Sequence, residues 1–290
     1  MFDGECLPSD AVVMAGPTGD YTSLALAVAG LGAGDGTIIV QQASFDEPVV
    51  VSGTRVIAFV AADGTMPSWT RTRGAGGPSQ LRVDGATVLM EGIQVSANNG
   101  SVNPGIRVET AGRLWIDRGR IIGNPGGAVI AQENSELVLR NSFMGGNQEI
   151  DVLQVLNSSA SILYTTIGGG LTGTPGSSTG LYCEGTGSAE VRNSIIVSRD
   201  TAPEIECMDL MVSDSAMETD PGVGAGNTIV GDVVLTWFVD YNAGDFHLMG
   251  DGLGTFTGVA TWTVGDPPVD IDEDARPMME APDYAGADVP

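Results

Sequence analysis

Between residues 80 and 200, apolar and polar positions alternate in short runs that recur along the chain. The segments Val88-Leu89-Met90-Glu91-Gly92-Ile93-Gln94-Val95, Leu114-Trp115-Ile116-Asp117-Arg118-Gly119-Arg120-Ile121 and Leu137-Val138-Leu139-Arg140-Asn141-Ser142-Phe143-Met144 start 26 and then 23 residues apart. Two further copies begin at Ala160 and Ala189. Each copy carries one apolar residue and a second one five positions later: Met90/Val95, Ile116/Ile121, Leu139/Met144, Ile162/Ile167 and Val191/Ile196. In a straight strand an odd offset puts two residues on opposite faces, so a turn must separate the members of each pair. The pattern predicts two short strands that meet at a corner and share one interior. A third strand precedes each copy, at 105–108, 127–130, 151–155, 180–183 and 204–207. Three short strands per period of 22 to 29 residues describe the coils of an all-β, parallel β-helix solenoid. Leucine runs and helix-length segments are missing between the strands, which excludes a leucine-rich repeat. A β-sandwich and a two-domain chain with a separate C-terminal module are the competing architectures.

The repeat divides the chain into three parts. Residues 1–36 form a lead-in and an N-terminal cap, in which 24–30 predicts a short helix capped by Thr22 or Ser23 and ended by Gly30. Residues 37–212 form the coils. Residues 213–290, where the period fades, supply the last coils and an irregular C-terminal cap or tail. Two inserts, residues 99–104 and 171–179, widen the period, and a further loop projects from the stack. Residues 61–80 hold Pro67, Trp69, Arg71, Arg73 and a Gly-Ala-Gly-Gly-Pro run, and predict a projecting loop with the most basic patch of the chain. The insert 171–179 is rich in Gly, Thr, Ser and Pro. Trp69 and Trp115 are both expected outside the core; Trp115 lies between Leu114 and Ile116 and so faces away from them.

Charge narrows the partners. Twelve basic residues stand against 37 acidic ones, a net charge of −25. Such a surface repels phosphate backbones and anionic lipid, so nucleic acid is not an expected partner. No apolar run reaches 18 residues, so membrane insertion is not expected either. The acidity suits solubility in salt, or attraction of cations such as Ca²⁺. One histidine and three cysteines without a CxxC exclude a Cys/His zinc site.

The run 21–51 places a capping helix before a Thr/Ile/Val strand, the turn Phe45-Asp46-Glu47-Pro48 and a Val-rich strand. It resembles the start of bacterial right-handed β-helix proteins of the pectate-lyase-like superfamily. Further on come Thr219-Asp220-Pro221, Gly244-Asp245-Phe246-His247-Leu248, the acidic run 270–277 ending Ala275-Arg276-Pro277, and Pro282-Asp283-Tyr284-Ala285-Gly286-Ala287-Asp288. In this order they resemble the end of secreted choice-of-anchor β-helix proteins, with Val289 where such proteins often carry Glu. The resemblance covers roughly residues 20–288. It implies a right-handed coil, an extracellular or cell-surface location, and a polysaccharide or surface protein as partner. The superfamily hosts lyases, hydrolases and adhesins, so it names no reaction.

Candidate chemistry is sparse. Asp117, Arg118, Arg120 and Glu133 are the candidate catalytic residues, as acid, base or charge stabiliser. Asp270, Asp272 and Asp274, with Glu273 among them, are the candidate Ca²⁺ ligands; no other cofactor is expected. Asn98, Asn124 and Asn147 recur at one corner and predict a structural amide ladder. Register places Asp117 beside Arg140 as a surface ion pair and beside Glu91 as a like-charge pair. His247 is expected to be packed and hydrogen-bonded. Cys183 and Cys207 lie one period apart at matching strand positions, which predicts either a disulfide or two stacked thiols, with Cys6 unpaired. The function expected from this set is a non-catalytic binding or structural module for glycan or protein. The alternative is a calcium-assisted polysaccharide lyase or glycoside hydrolase.

Overall fold

The computed structural model describes residues 7–70, 77–97, 102–146, 148–171, 178–199 and 202–290. It is a right-handed parallel β-solenoid with three sheets. Among the described residues, sheet 1 has nine strands, from Val12–Ala15 through Gly36–Val40 and Arg113–Asp117 to Asp209–Ser213. Sheet 2, also nine strands, runs from Ser44–Phe45 to Thr228–Ile229, and sheet 3, seven strands, from Val49–Ser52 to Ile205–Glu206. Pairing within each is parallel and in register, so Leu114 sits between Val88 and Leu137, and Ile121 between Val95 and Met144. The inward positions Met90, Val95, Val108, Ile116, Ile121, Leu139, Ile162 and Ile167 form one continuous buried core.

Corners fix the register. Gly92, Arg118, Asn141, Tyr164, Asn193 and Asp214 each turn the chain from sheet 1 to sheet 2 with positive φ, between 46° and 69°. The next positions form a hydroxyl ladder. Ser142 Oγ accepts from Gly119 N, Ser194 Oγ from Thr165 N and Ser215 Oγ from Ser194 N, each at 3.0–3.1 Å. Of the expected amide ladder, Asn98 and Asn147 lie outside the described residues. Asn124 is fully buried and donates to the carbonyls of Val95 and Ile122.

The N-terminal helix α1 (Leu24–Gly30) is capped by Ser23, whose hydroxyl accepts from Leu26 N at 3.1 Å. It buries Leu24, Ala27 and Val28 against the first coils. The lead-in adds its own strand, Val12–Ala15, to sheet 1. Trp69 departs from expectation. It belongs to the strand Ser68–Thr70, is fully buried, pairs in register with Phe45 and Val95, and donates to the Glu47 carbonyl at 2.7 Å. Residues 68–70 thus form a core strand, because Trp69 fills the inward position of sheet 2 that Val95 fills one coil later. Trp115 does face outward from sheet 1, where it packs with Ala58 and Leu89 in a small buried cluster apart from the main core.

Cys183 and Cys207 are joined by a disulfide, with Cα atoms 4.6 Å apart; Cys183 lies in the strand Leu181–Glu184 of sheet 3 and Cys207 just past that sheet's last strand, and both pack against the main core. Cys6 lies outside the described residues.

The C-terminal segment holds a short helical cap, α2 (Gly252–Phe256), and two antiparallel strand pairs, Phe238–Asp240 with Asp245–Leu248 and Ala260–Trp262 with Ala281–Asp283. It lies along the outer side of sheet 2. Phe143, Ile195 and Val197 point outward from that sheet and form a second core with Phe238, Tyr241, Phe246, Phe256 and Trp262. The approach is close at Gly168, where a Cβ would lie 2.5 Å from the Phe246 ring.

Candidate functional site

The tail side gathers most of the residues that the sequence singles out. Along Asp245–Leu248, alternation sends Phe246 and Leu248 into the second core and leaves Asp245 and His247 on the other face. His247 Nδ1 meets the Asp245 carboxylate, and Nε2 lies 2.5 Å from Asp272 Oδ2. Its ring also stands edge-on to Phe143, 4.9 Å between centroids. Arg120 reaches the same point from the coil, at 2.9 Å from Asp272 Oδ1 and 3.3 Å from His247 Nε2. The hydrogen bond to Asp272 outweighs desolvation and, with Asp245, pushes the imidazole up to about 9. The same contact lowers Asp272, with Arg120 adding to it. Buried Asp288 stands close by, accepts from Leu248 N at 2.7 Å, and is raised by its burial.

Most of the candidate catalytic residues are absorbed by ion pairs. Asp117 pairs with Arg140 at 2.7 Å, as register required. Arg118 binds Glu91 on its own face and Glu273 from the tail, so the column Glu91, Asp117 is neutralised residue by residue. Glu133 lies elsewhere, at the sheet 3 to sheet 1 corner, where it accepts from Thr110 N at 3.2 Å. Of the candidate Ca²⁺ ligands, Asp270 is fully buried and uses its carboxylate on the N–H groups of Asp272, Asp274 and Val289. Asp272 faces His247 and Arg120. A cleft of about 340 Å³ opens between the loop 61–66 and Ile271, Asp272 and Glu273, with Glu91 and Arg118 at its base.

Sheet 3 presents a different face. Its outward column runs Val50, Arg82, Arg107, Ile130, Gln154, Tyr182, each the register partner of the last on the next coil. Successive members are therefore ~4.8 Å apart along the axis. Arg82 is exposed, and Arg107, Gln154 and Tyr182 are half-buried. Arg82 pairs with Glu109 and, at 3.4 Å, with Asp84. Arg107 donates to Asn103 Oδ1 at 3.1 Å and makes no ion pair among the described residues. Val50, Pro78, Arg82, Asn103, Arg107 and Glu109 line an open groove of about 590 Å³. Arg71 and Arg73 of the expected basic patch lie outside the described residues, and Arg82 and Arg107 form a further basic pair on sheet 3. Their 25-residue spacing, one coil, was the signal.

No family model matches the chain, and no curated protein does. Among solved structures, the chain is similar to a pectin methylesterase from Aspergillus niger, at 12% identity over 78% of this chain and 87% of that one, with a TM-score of 0.38. No helix among the described residues is long and apolar enough to cross a membrane.

Proposed function

We propose that the protein is an extracellular carbohydrate-binding β-helix that holds an extended, carboxylate-bearing polysaccharide along the outer face of sheet 3. The observation that carries this reading is the stacking of Arg82 on Arg107 at the groove, in a chain of net charge −25. In-register coils offer a linear polymer one side chain per ~4.8 Å step. Guanidinium groups recognise carboxylates through paired hydrogen bonds, a role open to Arg107, which makes no ion pair among the described residues, while Arg82 is held by Glu109 and Asp84. Beyond the arginines, Gln154 supplies an amide, and Tyr182 supplies a ring on which a sugar face can rest. The disulfide supports an oxidising, extracellular compartment.

A panel of neutral and uronic-acid polysaccharides, tested by isothermal titration with wild type, Arg107→Ala and Arg82→Ala, checks this reading. The expected result is retention of uronate polymers only, with Kd raised about 10- to 100-fold in Arg107→Ala, the loss of one charge-assisted contact. Equal affinity in Arg107→Ala, or no polysaccharide bound, would sink it.

One observation favours cleavage as a second reading. Asp84 and Glu109 are register partners on the same face, and Glu109, mostly buried, lies between Arg82 and Gln132. Two carboxylates beside an arginine are the groups that acid–base chemistry on a glycosidic link requires. Scoring the same panel for unsaturated ends and new reducing ends, with and without calcium, separates a cleaving enzyme from a binder. Product that disappears in Glu109→Gln would favour the enzyme.

A further inference from the structure

We propose that His247, Asp272 and Asp288 form a binding site for a divalent transition-metal ion of the Zn²⁺ type, built where the tail meets the second sheet. One donor atom from each of the three lies within 4.8 Å of the others. The site is built from both sides. Asp245, two residues before His247 on the same strand face, holds Nδ1, which fixes the ring and aims Nε2 at Asp272. A carboxylate on the far nitrogen is the arrangement that orients metal-bound histidines. Asp288 is anchored by Leu248 N through one oxygen, which leaves the other for a ligand. Asp272 sits on the turn after Asp270 and is partly exposed, so it is the donor that can shift to open its contact with Nε2.

A metal at Nε2 must displace the proton that Asp245 and Asp272 stabilise on the imidazole, so it takes over a positive charge that these carboxylates already face. Asp245, Asp272 and Asp288 converge, and Arg120 is the one guanidinium that the described contacts place among them. A metal entering at Nε2 displaces that guanidinium from the imidazole, 3.3 Å away, and leaves it free to hold Asp272 from outside. The donor set decides the metal. One imidazole nitrogen and two carboxylate oxygens at bond lengths of about 2.0–2.2 Å suit Zn²⁺, with water completing the shell. Ca²⁺ takes six to eight oxygens, and Asp270, which would be needed to approach that number, is committed to three backbone N–H groups.

The chain has a single histidine, so imidazole ¹⁵N spectra give one pair of signals and report this site alone. Chelator-treated protein would be titrated with Zn²⁺ and with Ca²⁺, by calorimetry and by these spectra. The expected result is one Zn²⁺ per chain, a large displacement of the Nε2 signal, a small one at Nδ1, and Ca²⁺ weaker by tenfold or more. Asp288→Asn and His247→Gln should each weaken Zn²⁺ at least tenfold, with folding checked by circular dichroism. Arg120→Met should tighten it, because a competing cation is removed. No Zn²⁺ binding, an unmoved Nε2 signal, or Ca²⁺ bound as tightly as Zn²⁺ would each overturn the proposal. The spectra on wild type keep the test decisive even if a variant fails to fold.

Discussion

Sheets 2 and 3 are made from the same repeat and face the same core, yet their outer sides have opposite fates. On sheet 2 the outward residues Phe143, Ile195 and Val197 are fully buried beneath the tail. On sheet 3 the outward residues Arg82, Arg107, Gln154 and Tyr182 are exposed or half-buried and, among the described residues, join none of the buried apolar clusters; of that column only Ile130 is buried. A parallel sheet buried on both sides is apolar at consecutive positions, and one open to water alternates. Ile195-Ile196-Val197 and Leu81-Arg82-Val83 show the two patterns side by side. The solenoid fixes only the inward half of each strand. The outward half is free to specify either a docking surface for the chain's own tail or a surface for something else.

The comparison breaks most sharply at Phe246. It is fully buried against the rings of Phe143, Phe238 and Tyr241. Phe246→Ala should cost about 3–5 kcal/mol, the usual loss for a buried aromatic. Tyr182→Ala on the open face should change stability by no more than about 0.5 kcal/mol. Urea unfolding of both variants beside wild type measures the contrast. A Phe246→Ala loss below about 1 kcal/mol would mean that the tail is not integral to the fold, and a Tyr182→Ala loss of similar size would mean that the open face is structural.

A second difference lies at the end of sheet 3, where a disulfide, Cys183–Cys207, links the last two coils. A 24-residue link is worth about 3 kcal/mol in the chain-entropy model. The double variant Cys183→Ser/Cys207→Ser should lose that amount and lose it first in sheet 3, seen as faster amide exchange at 181–184 and 205–206 than in sheet 2 at 195–197. Unfolded without reductant, wild type should show one reactive thiol of its three cysteines. Three thiols, or uniform exchange, would remove the staple from the argument.

How much of this was legible follows from the same asymmetry. Alternation and a 22- to 29-residue period reveal inward positions, so the coils, the Asp117–Arg140 pair and the stacking of Cys183 over Cys207 could be read from register alone. Trp69 escaped because Ser68-Trp69-Thr70 is too short to show a period and follows Pro67, which reads as a loop. The candidate site escaped for another reason. Arg118 with Glu273, and Arg120 with Asp272, are separated by more than 150 residues and join coil to tail. Nothing periodic links those positions, since the tail docks through side-chain shape. The consecutive apolar residues of sheet 2 signalled that something covers them, and only the folded chain shows what.

The smallest expected effect tests the root of the covered face. Glu218 follows the strand Ala216–Met217 of sheet 2 and is mostly buried, and its carboxylate accepts from Val233 N at 3.0 Å, where the chain departs toward the tail. Burial pushes this acid up to about 7, with Glu204 and Asp232 adding to the rise against the hydrogen bond from Val233. A carboxyl raised on folding binds its proton more tightly in the native state. Its contribution to stability is therefore complete below about 4.5, the unfolded value, and is lost as pH rises through about 7. The loss should be on the order of 1–3 kcal/mol. Glu218→Gln keeps an acceptor for Val233 N and removes the titration. The variant should match wild type near pH 4.5 and be the more stable of the two at pH 8. The difference between their curves cancels the titrating groups that do not interact with Glu218, His247 included. Parallel curves from pH 4 to 8 would show that Glu218 ionises freely, and that the junction between last coil and tail is open to water.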